Sequence, residues 1–278
     1  MNEGNGPFQS PLAFPHGFLW GAASSAYQIE GAVDTDGRAP SVWDTFSHTP
    51  GKVRGGDTGD VACDFYHRFE DDLDLMAGMG LGSFRFSVSW SRVQPSGSGA
   101  INQPGLDFYR SLVDGLRTRN IEPAITLYHW DLPQALEDAG GWANRDSAER
   151  FADYAEIVAA AIGDGGGMWI TINEPQVVAN QGHRSGVHAP GHRDDALAAA
   201  TTHHLMLAHG LALQRLRSVL RTPAWGSRST STRFEPPTPT RRTPLRSPTP
   251  SRTGSGSTRC SMVAIPPWRV NTCCRRRR

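Results

Sequence analysis

Met168-Trp169-Ile170-Thr171-Ile172-Asn173-Glu174-Pro175 is an apolar run that ends in an amide, a carboxylate and a proline. Its β-branched and aromatic residues suit a strand. The lack of polar alternation suits one covered on both faces, as in a parallel sheet. Pro175 has no N–H to extend a ladder and biases the residue before it toward extended geometry. The sequence therefore predicts that Glu174 is fixed at the C-terminal end of a strand. A Glu before Pro is more often an ordinary loop residue, so its meaning depends on the surrounding chain.

Working outward, apolar runs alternate with helical patterns. Strands are expected over residues 18–25, 83–88, 123–128 and 168–173, and helices over 64–79, 104–119, 146–162 and 195–220. Phe65, Phe69, Leu73 and Met76 share one face of the first helix, which Gly80 and Gly82 end. Leu106, Tyr109, Leu112, Val113 and Leu116 share one face of the second. Asp146 is expected to cap the third, with Glu149 completing a capping box. Repeated strand–helix units predict parallel strands with crossover helices.

Gln28, Arg85, His129 with Trp130, and Asn173 with Glu174 fall at the C-terminal ends of successive strands, where a (β/α)8 TIM barrel gathers its active site. A doubly wound sheet also binds ligands at strand ends, but no Gly-rich phosphate loop follows any strand here. The expected fold class is α/β, a TIM barrel of which the first four β/α units are present.

Composition divides the chain. Of 28 basic and 27 acidic residues, about 12 arginines but only one acid, Glu235, lie from Thr222 onward, so a formal net charge of +1 conceals an acidic body and a basic tail. The expected organisation is a globular segment, 1–221, followed by a Pro/Ser/Thr/Arg-rich low-complexity segment, 222–278. Cys63 lies in the body and Cys260, Cys273 and Cys274 in the tail, without C-x-x-C spacing. Neither a zinc site nor a disulfide framework is indicated, and no metal or cofactor is expected. His203-His204 on the last helix point to different faces and are read as packing or solvent groups. The first 15 residues lack the basic and apolar regions of a signal peptide, and no apolar run reaches the length of a membrane span. A cytoplasmic protein without a membrane partner is expected; the residues leave its oligomeric state open.

Hydrolysis of a glycosidic bond requires one carboxylic acid to protonate the leaving oxygen and a second carboxylate on the opposite face of the sugar. Glu174 suits the first role if partial burial raises its pKa. Five stretches, in this order, resemble glycoside hydrolase family 1, the β-glucosidase and β-galactosidase family. They are Phe14-Pro15-His16-Gly17-Phe18-Leu19-Trp20-Gly21-Ala22-Ala23-Ser24-Ser25-Ala26-Tyr27-Gln28-Ile29-Glu30-Gly31, Phe84-Arg85-Phe86-Ser87-Val88-Ser89-Trp90-Ser91-Arg92, Leu127-Tyr128-His129-Trp130-Asp131-Leu132-Pro133-Gln134, Thr171-Ile172-Asn173-Glu174-Pro175 and Gly186-Val187-His188-Ala189-Pro190-Gly191. The resemblance covers residues 14–217.

It implies that Glu174 is the general acid/base of a retaining β-glycosidase acting on a small-molecule β-glycoside. It implies that Asn173 contacts the sugar 2-hydroxyl, that Gln28 and His129 read other hydroxyls, that Trp130 shares their wall, and that Arg85 supports the ionised nucleophile. Taken singly, each has a plainer reading: packing for Gln28 and Trp130, a core histidine for His129, a structural ion pair for Arg85. Two positions depart from the family pattern. Gln176 replaces the usual aromatic after Asn-Glu-Pro, and Gly182-His183 stands where Gly-Tyr is common; both lie toward the leaving-group side. The residues leave glucose, galactose and 6-phospho sugars open.

The family's nucleophile lies in an Ile/Val-Thr-Glu-Asn-Gly motif, which this sequence does not contain. The chain is therefore expected to be truncated before its nucleophile, inactive as it stands, and poorly folded because half a barrel leaves two strand edges unpaired. The tail itself suggests a shifted reading frame. Joining the third base of each codon to the next two turns Ala224-Trp225-Gly226 into an apolar residue and a glycine, and permits Val-Gly-Ile-Thr-Leu-Asn, a family-like fifth strand. The same offset makes Ser261-Met262-Val263 yield a glycine within a family-like segment. A single-base change between codons 214 and 223 explains both. Two other functions remain open: a sugar-binding remnant without turnover, and nucleic-acid binding through arginines such as Arg275 to Arg278. The latter is not expected, since no helix, aromatic interleaving or motif accompanies them.

Overall fold

The computed structural model describes residues 14–163 and 167–220. The expected tail, 222–278, and the codons read there in another frame lie outside these residues.

Strand β1 is Gly21–Ala23, followed by helices α1 (Ala26–Ile29), α2 (Val42–His48) and α3 (Phe65–Gly78). Strand β2 (Ser83–Ser87) leads to α4 (Trp90–Val93) and α5 (Gln103–Thr118), and β3 (Glu122–Tyr128) to α6 (Gln134–Asp138) and α7 (Asp146–Ile162). Strand β4 (Met168–Ile172) continues through α8 (Pro175–Val177) and a π-helical turn (Val178–Arg184) to α9 (Asp195–Val219).

The sheet runs β1-β2-β3-β4 in chain order with every neighbouring pair parallel. Ala23 pairs with Arg85, Arg85 with Ala124, and Tyr128 with Ile172. The strand order never reverses among the described residues. The topological switch point of a doubly wound sheet is thus missing from them, and the four units fit one arc of a TIM barrel.

Helix α5 buries Leu106, Tyr109, Leu112, Val113 and Leu116, the whole face that its spacing predicts. Helix α3 buries Phe65 and Leu73 fully, while Phe69 and Met76 pack partly exposed against the same core. It ends because Gly80 takes a φ of +73°, with the Leu81 N–H returning to the Met76 carbonyl at 3.2 Å. Trp90 stacks on Tyr154 at 4.9 Å, and the Tyr154 hydroxyl donates to the carbonyls of Val88 and Leu127. That one buried side chain ties β2, β3 and α7 together.

A buried ion pair closes the N-terminal end of the arc. Arg92 is fully enclosed and its Nε donates to Glu30 Oε2 at 3.1 Å; the Tyr109 hydroxyl donates to Glu30 Oε1 at 2.6 Å. Gly31 follows with φ +64°, and a Cβ there would lie 2.3 Å from the Val61 carbonyl oxygen, so only glycine fits.

Three local expectations need correction. Strand β1 covers only Gly21–Ala23: these three residues pair in register with β2, while before them only the Trp20 carbonyl reaches it, accepting from Gly82 and Ser83. Asp146 does not cap α7: Arg145 occupies that position without a side-chain cap, and the Asn144 carbonyl oxygen of the side chain accepts from the Asp146 N–H. The capping box forms instead at Ser41 and Asp44 on α2, where Asp44 also takes the Arg38 guanidinium at 2.8 Å.

Candidate active site

Arg85 is central to the site. It is the middle residue of β2, not its last, and its half-buried guanidinium reaches across the sheet. Nε donates to Thr126 Oγ1 on β3 at 2.9 Å, and Nη2 donates to Asn173 Oδ1 beyond β4 at 2.6 Å. Burial pushes the Arg85 pKa down, and attraction to the Glu174 carboxylate pulls it back up. Arg85 and Glu174 therefore share one electrostatic neighbourhood.

Asn173 is held at both ends. Its backbone N–H donates to the Tyr128 carbonyl at 2.9 Å, continuing the β3–β4 ladder past Ile172, while its carbonyl accepts Trp130 Nε1–H at 2.9 Å. Trp130 turns out of β3 with φ +81°, and its ring lies 5.1 Å from His129 and 5.5 Å from His188. Burial first, and then the Arg85 charge, carry the His129 pKa down to about 4, so its ring is neutral near pH 7. A neutral imidazole offers one donor and one acceptor, which suits reading hydroxyl groups.

Glu174 departs from its sequence expectation in two ways. It takes left-handed geometry, φ +45° and ψ +62°, rather than extended geometry. The cause is the strand-to-helix reversal completed in that one residue: Pro175 begins α8, and the Glu174 carbonyl accepts from Val177 and Val178. Its side chain is also exposed rather than partly buried. Among the described residues β4 is the last strand of the sheet, so nothing described there covers the carboxyl from beyond it. Left-handed backbone at two residues of one cleft, Trp130 and Glu174, is the kind of local strain that collects at functional sites.

Gln28 is the least integrated of the expected residues. It lies exposed on α1, past the end of β1, with its N–H bonded to the Ser25 carbonyl. Two further contributors escape the motif reading. Thr126 positions Arg85, a role visible only once β2 and β3 are in register. Asp131 follows Trp130 and is almost wholly buried; neither carboxyl oxygen has a partner in another residue among those described, and burial carries its pKa up to about 7.

The four β/α units place the Asn173 amide, the Arg85 guanidinium, the Glu174 carboxyl and the His129 imidazole at or near the C-terminal ends of parallel strands, the arrangement of a β/α-barrel enzyme site. The Glycosyl hydrolase family 1 model matches residues 10–251, and the chain belongs to that family. It is 51% identical over 210 residues to Beta-glucosidase A of Acetivibrio thermocellus, spanning 76% of this chain and 47% of that protein. It is 58% identical over 207 residues to Thermostable beta-glucosidase B of Thermobispora bispora, spanning 74% and 42%. Among solved structures it resembles the Thermotoga maritima beta-glucosidase in complex with glucoimidazole, with a TM-score of 0.74 and 50% identity over 75% of this chain and 47% of that one. The chain spans about half the length of the relatives it matches.

Proposed function

We propose that residues 1–221 form the acid/base half of a retaining β-glucosidase, with Glu174 protonating the leaving-group oxygen and later activating water. The observation that carries this reading is the Arg85–Asn173 hydrogen bond at 2.6 Å, which presents the amide beside Glu174 at the cleft rim. In that reading the Asn173 amide N–H groups face the sugar 2-hydroxyl, neutral His129 and Gln28 read neighbouring hydroxyls, and Trp130 forms the wall behind them. Arg85 supports the carboxylate nucleophile that a complete barrel supplies. With no nucleophile motif in the sequence, this chain alone does not form a glycosyl-enzyme intermediate. The similarity to proteins named beta-glucosidase favours β-glucosides as the substrate class.

Low cysteine usage in the body, with Cys63 exposed and free, supports a reducing, cytoplasmic setting. No helix among the described residues is long and apolar enough to cross a membrane. We further propose that segment 222–278 arises from a one-base shift between codons 214 and 223. Sequencing that stretch of DNA tests it: a confirmed frame with no family-like alternative overturns the shift.

Completing the barrel tests the acid/base assignment. Co-expression with the C-terminal half of Thermotoga maritima beta-glucosidase should restore hydrolysis of cellobiose, whose poor leaving group needs protonation. Glu174→Gln should then lower kcat by about 100- to 10,000-fold, the usual worth of general acid–base catalysis. A complemented barrel indifferent to that change overturns the assignment.

A further inference from the structure

Glu137, His183 and His192 meet away from the Arg85–Asn173 cluster. Glu137 lies on α6, His183 in the π-helical turn, and His192 in the loop before α9. Each offers one ligand atom, and these atoms all lie within 4.8 Å of one another. Glu137 Oε1 contacts His192 Nε2 at 2.6 Å, and the two imidazole rings are 5.5 Å apart.

We propose that these three side chains bind a divalent first-row transition ion of the Zn2+ class, leaving one coordination position for water or another ligand. Two imidazoles and a carboxylate form a donor set that Zn2+ accepts with an open fourth position. Two observations point to a ligand rather than to a plain ion pair. Glu137 Oε2 is buried without a hydrogen-bond partner, so one lone-pair-bearing oxygen of the cluster has no assigned use. His183 is only 1% exposed, and its Nδ1 lies 3.0 Å from the Val178 carbonyl. A carbonyl only accepts, so Nδ1 carries the proton and the other ring nitrogen of the neutral ring keeps its lone pair. A backbone carbonyl on the far nitrogen is how metal-binding histidines are usually oriented. Burial also lowers the His183 pKa, which favours the neutral ring a metal needs.

The geometry needs little adjustment. Ligand atoms about 2.0–2.2 Å from a tetrahedral ion stand roughly 3.4 Å apart, so the 4.8 Å cluster closes through small side-chain rotations. The backbone already holds the turn and loop together: the His192 N–H donates to the Gly182 carbonyl at 2.9 Å, and the Asp194 N–H to the His183 carbonyl at 2.8 Å. Metal binding would replace the Glu137–His192 hydrogen bond with one bond from each side chain to the ion. The bound ion would clip the segment following Glu174 onto the β3–α7 connection. It also gives a use to His183, one of the two departures from the family pattern.

The test uses the full chain with Cys63, Cys260, Cys273 and Cys274 changed to Ser, so that no thiolate competes. Titration with Co2+ should produce intense visible bands at 1:1 stoichiometry, which Zn2+ then abolishes. His192→Gln, on a part-exposed loop, should weaken binding more than ~100-fold, beyond the ~10–100-fold of an outer-shell change. His183→Gln should do the same, and if that buried change unfolds the chain, His192→Gln alone decides. No visible bands, or bands that survive His192→Gln, overturn the proposal.

Discussion

Arg85 on β2 donates through Nη2 to Asn173 Oδ1 beyond β4, at 2.6 Å, bridging over the intervening strand β3. This bond fixes the Asn173 side chain with its oxygen toward the guanidinium and its N–H groups free to donate. A second donation, from Arg85 Nε to Thr126 on β3, keeps the guanidinium plane from rotating.

Arg85→Met should therefore cost stability. It leaves Thr126 and Asn173 without their charged donor, and hydrogen bonds to charged groups contribute about 1.5–3 kcal/mol each. Because Arg85 is only half-buried, a total loss of about 2 kcal/mol in urea unfolding is expected. Arg85→Lys should recover only part of it, since an ammonium cannot reproduce the forked geometry.

His129 should remain neutral across the physiological range. Its folded pKa of about 4 lies below the ordinary 6.5, so the unfolded state binds the proton more readily. Its contribution to stability is present above the ordinary pKa and is lost as pH falls through the folded value. NMR should show the His129 ring unchanged from about pH 5.5 to 8.

Asp131 acts with the opposite sign. Burial raises its pKa from 3.8 to about 7, so the folded state retains a proton that the unfolded chain has released. Its stability contribution is present below the ordinary pKa and is lost as pH rises through about 7, a change on the order of 4 kcal/mol. Asp131→Asn should be more stable than the parent by about 1–3 kcal/mol at pH 8, and no more stable at pH 4. Denaturant unfolding at the two pH values checks both signs.

Breaking the buried pair should be the most damaging of these changes. Glu30→Ala leaves Arg92, fully enclosed, without its carboxylate, and orphaning a buried charge costs about 3–5 kcal/mol. Loss of the cooperative thermal transition is the expected observation.

Much of the arc was legible in the chain because its signals are local. The apolar stripe of α5, the glycine that ends α3 and the placing of His129 and Asn173 just past β3 and β4 depend on spacing of a few residues, whereas Arg85 falls in mid-strand and Gln28 on α1. What escaped depends on contacts far apart in sequence. Phe18 and Leu19 read as strand by composition, but the contact with β2 begins only at the Trp20 carbonyl, which accepts from Gly82 and Ser83. Pro175 implied extended backbone at Glu174, whereas the reversal into α8 required left-handed geometry. Thr126 and the Glu137–His183–His192 cluster carry no motif; only the register of β2 on β3, or the folding of the π-helical turn against α6, brings their partners together. Asp131 lies within a family-like stretch, but its burial is set by the fold around it. His183 was visible as a departure from the family pattern, but its neighbours were not.

The central claim is that Glu174 stands in this chain without a nucleophile, and the most direct measurement is 4-nitrophenolate release from 4-nitrophenyl β-glucoside by the purified full chain. The account predicts no burst and no turnover above the buffer rate. Release that scales with the chain's concentration and vanishes in Glu174→Gln would contradict it, because a complete retaining site would then be present.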